Sequence, residues 1–505
     1  MSNMHRPLLA VAAAGLLSAC AASASPPSRD LAALDAVTGA ISGLPITTAS
    51  ADARNHYSQG VREGDLGRNF DALDHFSAAV AADSTFAIAY LGVANTSNSL
   101  ADFKANLARA EAHAAHASDA EQLRIQIARR GFDGDASGQL ALAQQLVAKY
   151  PQSPRAYLIL GNLQAGLSQN NADARASIGK AATLAPRFYA AHIAMGTSYL
   201  FGEPRDFTQA LQHFQAAEAL APNESNGHDF VGDAQRALND LPAARAEYTR
   251  GHELNPRDAG LLQQRGHVNS FAGDYSAARA DYDSALAISR GNERGFFAPF
   301  RAYVSVYAGD APGAIAELNK LVGDADGLGM PDPVAVKVNA LNNVVLIGVH
   351  TRDFAAADAA MKALTPLLMR QGDQAGSAGF RRGQEETVAY LEGWLAARKG
   401  DYAGANRTIA RLTALVTQDA NPRRMEPVHQ LKGFVAAYQG NAKEAAAHFA
   451  EGNLQDPYIK YNYAAALDAS GQSAQAKPMF RDLAVYNFNS LGYALIRKDA
   501  QQKAS

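Results

Sequence analysis

Ser177 and Lys180 stand one helical turn apart (SIGK), the spacing at which a lysine amine can help activate a serine nucleophile. The SDN and KTG motifs that complete such a site are absent, so the pair reads as a chance spacing within one helix. His113 and His116, at i and i+3, would put two imidazoles on one helix face for a metal. No further ligand is evident nearby in the sequence, and an exposed polar face is the expectation. Asp324-Ala325-Asp326-Gly327 begins like a calcium loop, but Ala335 stands where the bidentate glutamate belongs, so a turn is expected. There is no HExxH, GxSxG, GxGxxG or GxxxxGK[ST], which removes the usual signals of zinc proteolysis, ester hydrolysis and nucleotide use. A single cysteine, Cys20, excludes an intrachain disulfide framework and any multi-cysteine metal site. No catalytic residue, metal or other cofactor is therefore expected.

The elements around these residues are those of a large folded protein. Of 505 residues, 48% are apolar and 19% charged, enough to bury an extensive core. Lys and Arg number 46 against 49 Asp and Glu, a formal net charge of −3, which argues against a strongly basic nucleic-acid binder.

Cys20 matters for its position. Arg6 and the amino terminus form a weak positive region ahead of the apolar run Leu8 to Leu17, which is too short for the ~20 residues of a membrane span. The run ends in Leu17-Ser18-Ala19-Cys20, which resembles the lipobox of bacterial lipoproteins. That resemblance implies removal of residues 1–19, acylation of Cys20, and a membrane anchor of several acyl chains. Ala21 rather than Asp follows, which in such proteins resembles the outer-membrane sorting pattern. An ordinary secretory cleavage near Ala22 or Ala24 is the alternative. Residues 20–50 read as a tether, and no later apolar run is expected to reach transmembrane length.

From Ala53 onward one pattern recurs at about 34 residues: a small residue in mid first helix, a Gly-Asp or similar turn, then Ala, an aromatic and Ala again. Gly232, Ala244, Tyr248 and Pro256 form the clearest copy, and Gly266, Ala278, Tyr282 and Ala285 the next. The pattern resembles the tetratricopeptide repeat. The small residues let two helices approach closely while the aromatic fills the space beside them; the glycine admits a left-handed turn, and the aspartate caps the next helix. A hairpin cannot bury its apolar face alone, so about twelve must stack. The expected fold is an all-α, right-handed superhelical solenoid. Residues 51–322 and 338–490 are expected to form N- and C-terminal arrays, separated by a loop at 323–337 and closed by a capping helix within 491–505. The Gly-rich polar stretch Arg370 to Glu385 reads as a further loop.

In repeats of this class the first helices line a groove. That resemblance places Asn162, Asn226, Asp229, Asp233, Arg236, Gln263 and His267 on a polar stretch, and Asn342, Tyr390, Trp394, Phe434, Tyr458 and Tyr461 on an aromatic one. Packing of the aromatics between hairpins, or against the C-terminal cap, is an equal alternative. The expectation is a non-catalytic scaffold or assembly factor that binds a protein partner of the cell envelope at the periplasmic face of the outer membrane. A glycan- or peptidoglycan-binding module is the alternative, and an enzyme with an unrecognised site a more distant one. No nucleic-acid partner is expected.

Overall fold

The same glycine-aspartate turn joins the two helices of several pairs. Gly273, Gly309 and Gly400 sit at φ of +81°, +85° and +87°, in the left-handed region where a side chain is strained. The aspartate that follows caps the next helix: the N–H of Ala277 donates to Asp274 Oδ1 at 3.0 Å, that of Gly313 to Asp310 at 2.9 Å, and that of Gly404 to Asp401 at 2.8 Å. Each such cap contributes about 1 kcal/mol.

The computed structural model describes residues 44–505 except 98, 168–170, 291–292, 331 and 419–420. The leader, Cys20 and most of the tether lie outside the described residues. The first helices are α1 (Ala51–Asp65), α2 (Asn69–Ala82), α3 (Ala87–Thr96), α4 (Leu100–His113), α5 (Asp119–Phe132) and α6 (Ala136–Lys149). Then come α7 (Pro154–Leu167), α8 (Ala172–Leu184), α9 (Tyr189–Phe201), α10 (Phe207–Leu220), α11 (Ser225–Ala237) and α12 (Leu241–Leu254). The middle holds α13 (Ala259–Ala272), α14 (Tyr275–Ile288), α15 (Glu293–Tyr307), α16 (Ala311–Asp324), α17 (Pro333–Thr351) and α18 (Phe354–Ala375). The last are α19 (Ala378–Lys399), α20 (Tyr402–Val416), α21 (Glu426–Tyr438), α22 (Ala442–Ala450), α23 (Pro457–Ala469), α24 (Ser473–Ala484) and α25 (Leu491–Ala504). These are twelve antiparallel hairpins and a terminal helix, with no strand among the described residues. The fold is therefore all-α, an array of tetratricopeptide-like hairpins.

Close helix approach explains the small residues. A Cβ on Gly232 would lie 2.6 Å from the Tyr248 ring, and one on Gly266 2.7 Å from that of Tyr282. Both rings are fully buried.

The chain divides into two compact units. The N-terminal one runs to Arg265 and adds Ala287–Arg290, and the C-terminal one takes Gly266–Leu286 and Gly291–Ser505. The division falls within the seventh hairpin rather than at 323–337. That expected loop is also shorter: Asp324 ends α16, one 3-10 turn follows at Ala325–Leu328, and Pro333 already opens α17. The stretch Arg370 to Glu385 is helical except at Gly376 and Ser377, so the expected loop there is corrected to the ends of two 22-residue helices. One of its glycines serves packing: a Cβ on Gly372 of α18 would lie 3.2 Å from Arg381 Cα on α19. Among the described residues α17 alone is long and apolar enough to cross a bilayer, at 19 residues, which corrects the expectation that no later run has that length. Val338, Leu341, Val345 and Ile347 of α17 are buried among the hairpins, the position of a core helix.

Candidate functional site

In the N-terminal unit, α11 is buried on nearly every side. Asn226, Asp229, Asp233, Arg236 and Gln263 are all buried there, while Asn162 is half-buried. Asn226, Asp233 and Arg236 are hydrogen-bonded to close neighbours. Asp233 Oδ1 accepts from Arg236 Nη2 and from the Tyr248 hydroxyl, both at 2.7 Å, and Arg236 Nη1 donates to Gln264 Oε1 at 2.7 Å. The Tyr189 hydroxyl donates to Asn226 Oδ1 at 2.9 Å. Burial pushes the Asp233 carboxyl up, against the pull of Arg236 and Tyr248. Burial likewise drives the Tyr248 hydroxyl well above its ordinary range, with Arg236 opposing. At Asn226, Asp233 and Arg236 the expected open polar groove is replaced by a closed network, in which neighbouring side chains supply the bonds that burial demands.

In the C-terminal unit the aromatic residues do come together, but inside. Trp394 and Phe434 are fully buried, and Tyr390 and Tyr458 are 1% and 6% exposed. Trp394 stacks on Phe434 with ring centroids 5.1 Å apart and meets Tyr458 edge-on at 5.8 Å. The Trp394 Nε1–H donates to the Tyr438 hydroxyl at 3.0 Å. His350 Nδ1 lies 2.8 Å from the Tyr458 hydroxyl, and burial first, then the Arg398 charge, holds that imidazole down to about 4. Of the two packing alternatives for these four aromatics, the structure takes the one between hairpins, since rings of this size and apolarity gain most when enclosed. Asn342 and Tyr461 remain half-buried.

Within that unit, the chain's own C-terminal segment lies against the inward side chains. Asn489 Oδ1 accepts from the Tyr307 hydroxyl at 2.9 Å, and its Nδ2 lies 2.8 Å from His267 Nδ1, which is itself 2.6 Å from the Tyr282 hydroxyl. Arg497 donates to the Phe271 carbonyl at 3.2 Å, its guanidinium 5.2 Å from the Phe271 ring centre. Tyr461 donates to Asp499. So α25 packs on α24 and also on α15, α17 and α23.

The catalytic candidates are held by other contacts. Ser177 Oγ donates to Gln164 Oε1 at 2.7 Å. His113, at the end of α4, stacks on Tyr90 at 5.7 Å, whereas His116 lies in the following 3-10 turn. Asp326 pairs with Lys337 at 2.5 Å, and Asp324 with Lys320.

A set of paired side chains escaped the sequence reading. His56 and His75 lie Nδ1 to Nδ1 at 3.3 Å, His429 and His448 at 3.4 Å, and His228 lies 2.8 Å from Glu247. Each first member stands four residues before the hairpin's glycine (Gly60, Gly433, Gly232), and each second immediately before its aromatic (Phe76, Phe449, Tyr248). That register was the available signal. Burial first, then the neighbouring imidazole, lowers the His75 and His448 values.

No family model matches the chain, and no curated protein matches it. Among solved structures it is similar to a tetratricopeptide repeat protein from Parabacteroides merdae, at 14% identity over 55% of this chain and 98% of that one, with a TM-score of 0.34. Yeast Tom70 is 13% identical over 89% of this chain and 95% of its own, with a TM-score of 0.34. PilW, described as a widely conserved type IV pilus biogenesis factor, is 15% identical over 43% of this chain and 97% of its own, with a TM-score of 0.33. These likenesses concern fold alone.

Proposed function

We propose that this chain is a non-catalytic lipoprotein scaffold, anchored through Cys20 at the periplasmic face of the outer membrane, that binds a protein partner of the cell envelope. The observation that carries the scaffold reading is that the described residues are given over to twelve hairpins and a terminal helix, repeats of a kind that offer extended binding surface. The anchor and location rest on the sequence Leu17-Ser18-Ala19-Cys20. The glycan alternative drew on the C-terminal aromatics and the polar groove, and Tyr390, Trp394, Phe434 and Tyr458 are enclosed, as are Asn226, Asp233 and Arg236. Phe296, 51% exposed on α15, is a large apolar side chain left at the surface and a natural position for a probe.

The test is in-cell photo-crosslinking from Phe296 and, separately, Asn162 in the native chain, together with palmitate labelling of the native chain and Cys20→Ser. A discrete envelope protein captured at either position, and label lost in Cys20→Ser, are the expected results. Capture of glycan alone would overturn the protein-partner reading, and label retained by Cys20→Ser would overturn the anchor.

A further inference from the structure

One cluster in the N-terminal unit has no part in that reading: Glu218 on α10, His228 on α11 and Glu247 on α12. His228 Nδ1 lies 3.1 Å from Glu218 Oε1 and 2.8 Å from Glu247 Oε2. One ligand atom from each of the three lies within 4.8 Å of the other two. The imidazole is nearly enclosed, at 10% side-chain exposure, and the carboxylates are open to water on one side, at 25% and 26%.

Even with His228 protonated, the two carboxylates leave the cluster with excess negative charge. An imidazole Nδ1 carries at most one proton, enough for one carboxylate oxygen, and two oxygens approach it. Among the described residues no Lys or Arg forms an ion pair with Glu218 or Glu247. Two half-buried carboxylates at this range repel each other. The other hairpins supply an internal control. At the same register His56 meets His75 and His429 meets His448, where a neutral donor can face a neutral acceptor. Here Glu247 replaces the second histidine, and Glu218 of the preceding hairpin adds another anion.

We propose that Glu218, His228 and Glu247 together bind a divalent transition-metal ion of the zinc class. One imidazole and two carboxylates are a donor set that zinc accepts, with a further position left to water. Bonds of about 2.0 Å to a tetrahedral ion separate its ligand atoms by about 3.3 Å, close to the approaches already present. The ion joins three consecutive helices, so its binding stabilises the N-terminal unit by linkage.

The test uses the full chain without an affinity tag, stripped of metal by a chelator and titrated with Zn²⁺ by calorimetry. Glu247→Gln and His228→Gln are titrated alongside, and circular dichroism without metal checks that each folds. The expected result is a saturable Zn²⁺ site in the native chain and a zinc-dependent rise in its thermal midpoint. Both are lost or weakened at least about tenfold in the variants. If one variant fails to fold, Glu218→Gln takes its place. A native chain that binds no Zn²⁺ saturably overturns the proposal whatever the variants do. Zinc binding that folded variants keep in full also overturns it, and would move the metal to the histidine pairs.

Discussion

In the N-terminal unit the inner positions of α11 bury Asp233, Arg236 and Asn226, each tied to a neighbour by hydrogen bonds. In the C-terminal unit, α19, α21 and α23 bury Trp394, Phe434 and Tyr458, which meet mainly ring against ring. Both solutions close the inner side, by different physics. A charged network is directional and tolerates no missing member, because the remaining partner stays buried and unpaired. An aromatic cluster depends on volume, and its loss is set by the cavity left behind.

Breaking the network gives the largest expected effect. Arg236→Ala leaves Asp233 buried without its cation and should cost about 3–5 kcal/mol, read by denaturant unfolding. Asp233→Asn in the same background should recover part of that loss by removing the buried unpaired charge. Trp394→Ala should cost a similar about 3–5 kcal/mol, but with Trp394→Phe recovering most of it, since only volume and the Tyr438 hydrogen bond are at stake.

The third prediction concerns pH and separates the units further. His350 titrates near 6.5 when unfolded and is held down to about 4 when folded. The unfolded chain therefore binds a proton between those values that the folded chain refuses. Stability is unaffected by this group above about pH 6.5 and falls by about 3 kcal/mol on acidification to about pH 4. His350→Gln should flatten that slope, and an unchanged slope would break the assignment. The smallest effect is expected at Gly232→Ala, where the added methyl meets the Tyr248 ring and costs about 1–3 kcal/mol.

Much of this was legible in the residues. A mid-helix glycine with an aromatic sixteen residues on, as in Gly232 and Tyr248 or Gly266 and Tyr282, marks two helices that touch, and Gly-Asp pairs mark several turns. The stretch Arg370 to Glu385 misled because glycine in a polar context reads as loop, whereas Gly372 is there to admit Arg381. Two of the expected groove residues, His267 and Tyr461, meet Asn489 and Asp499. What covers them was not legible, because periodicity reports the direction of a side chain and not which distant segment returns to it.

That return alters how the C-terminal unit comes apart. A stack of repeats that touch only their neighbours frays from its last member, and its stability is a sum of local pairs. Here Asn489 reaches His267 across 222 residues, and Arg497 reaches Phe271 across 226, so the two ends of the unit are fastened to each other. Closing so long a loop slows folding, yet once closed it removes the free end from which unzipping would start. The unit should therefore exchange its amide hydrogens as one block, with α25 and α15 opening in the same step rather than α25 first.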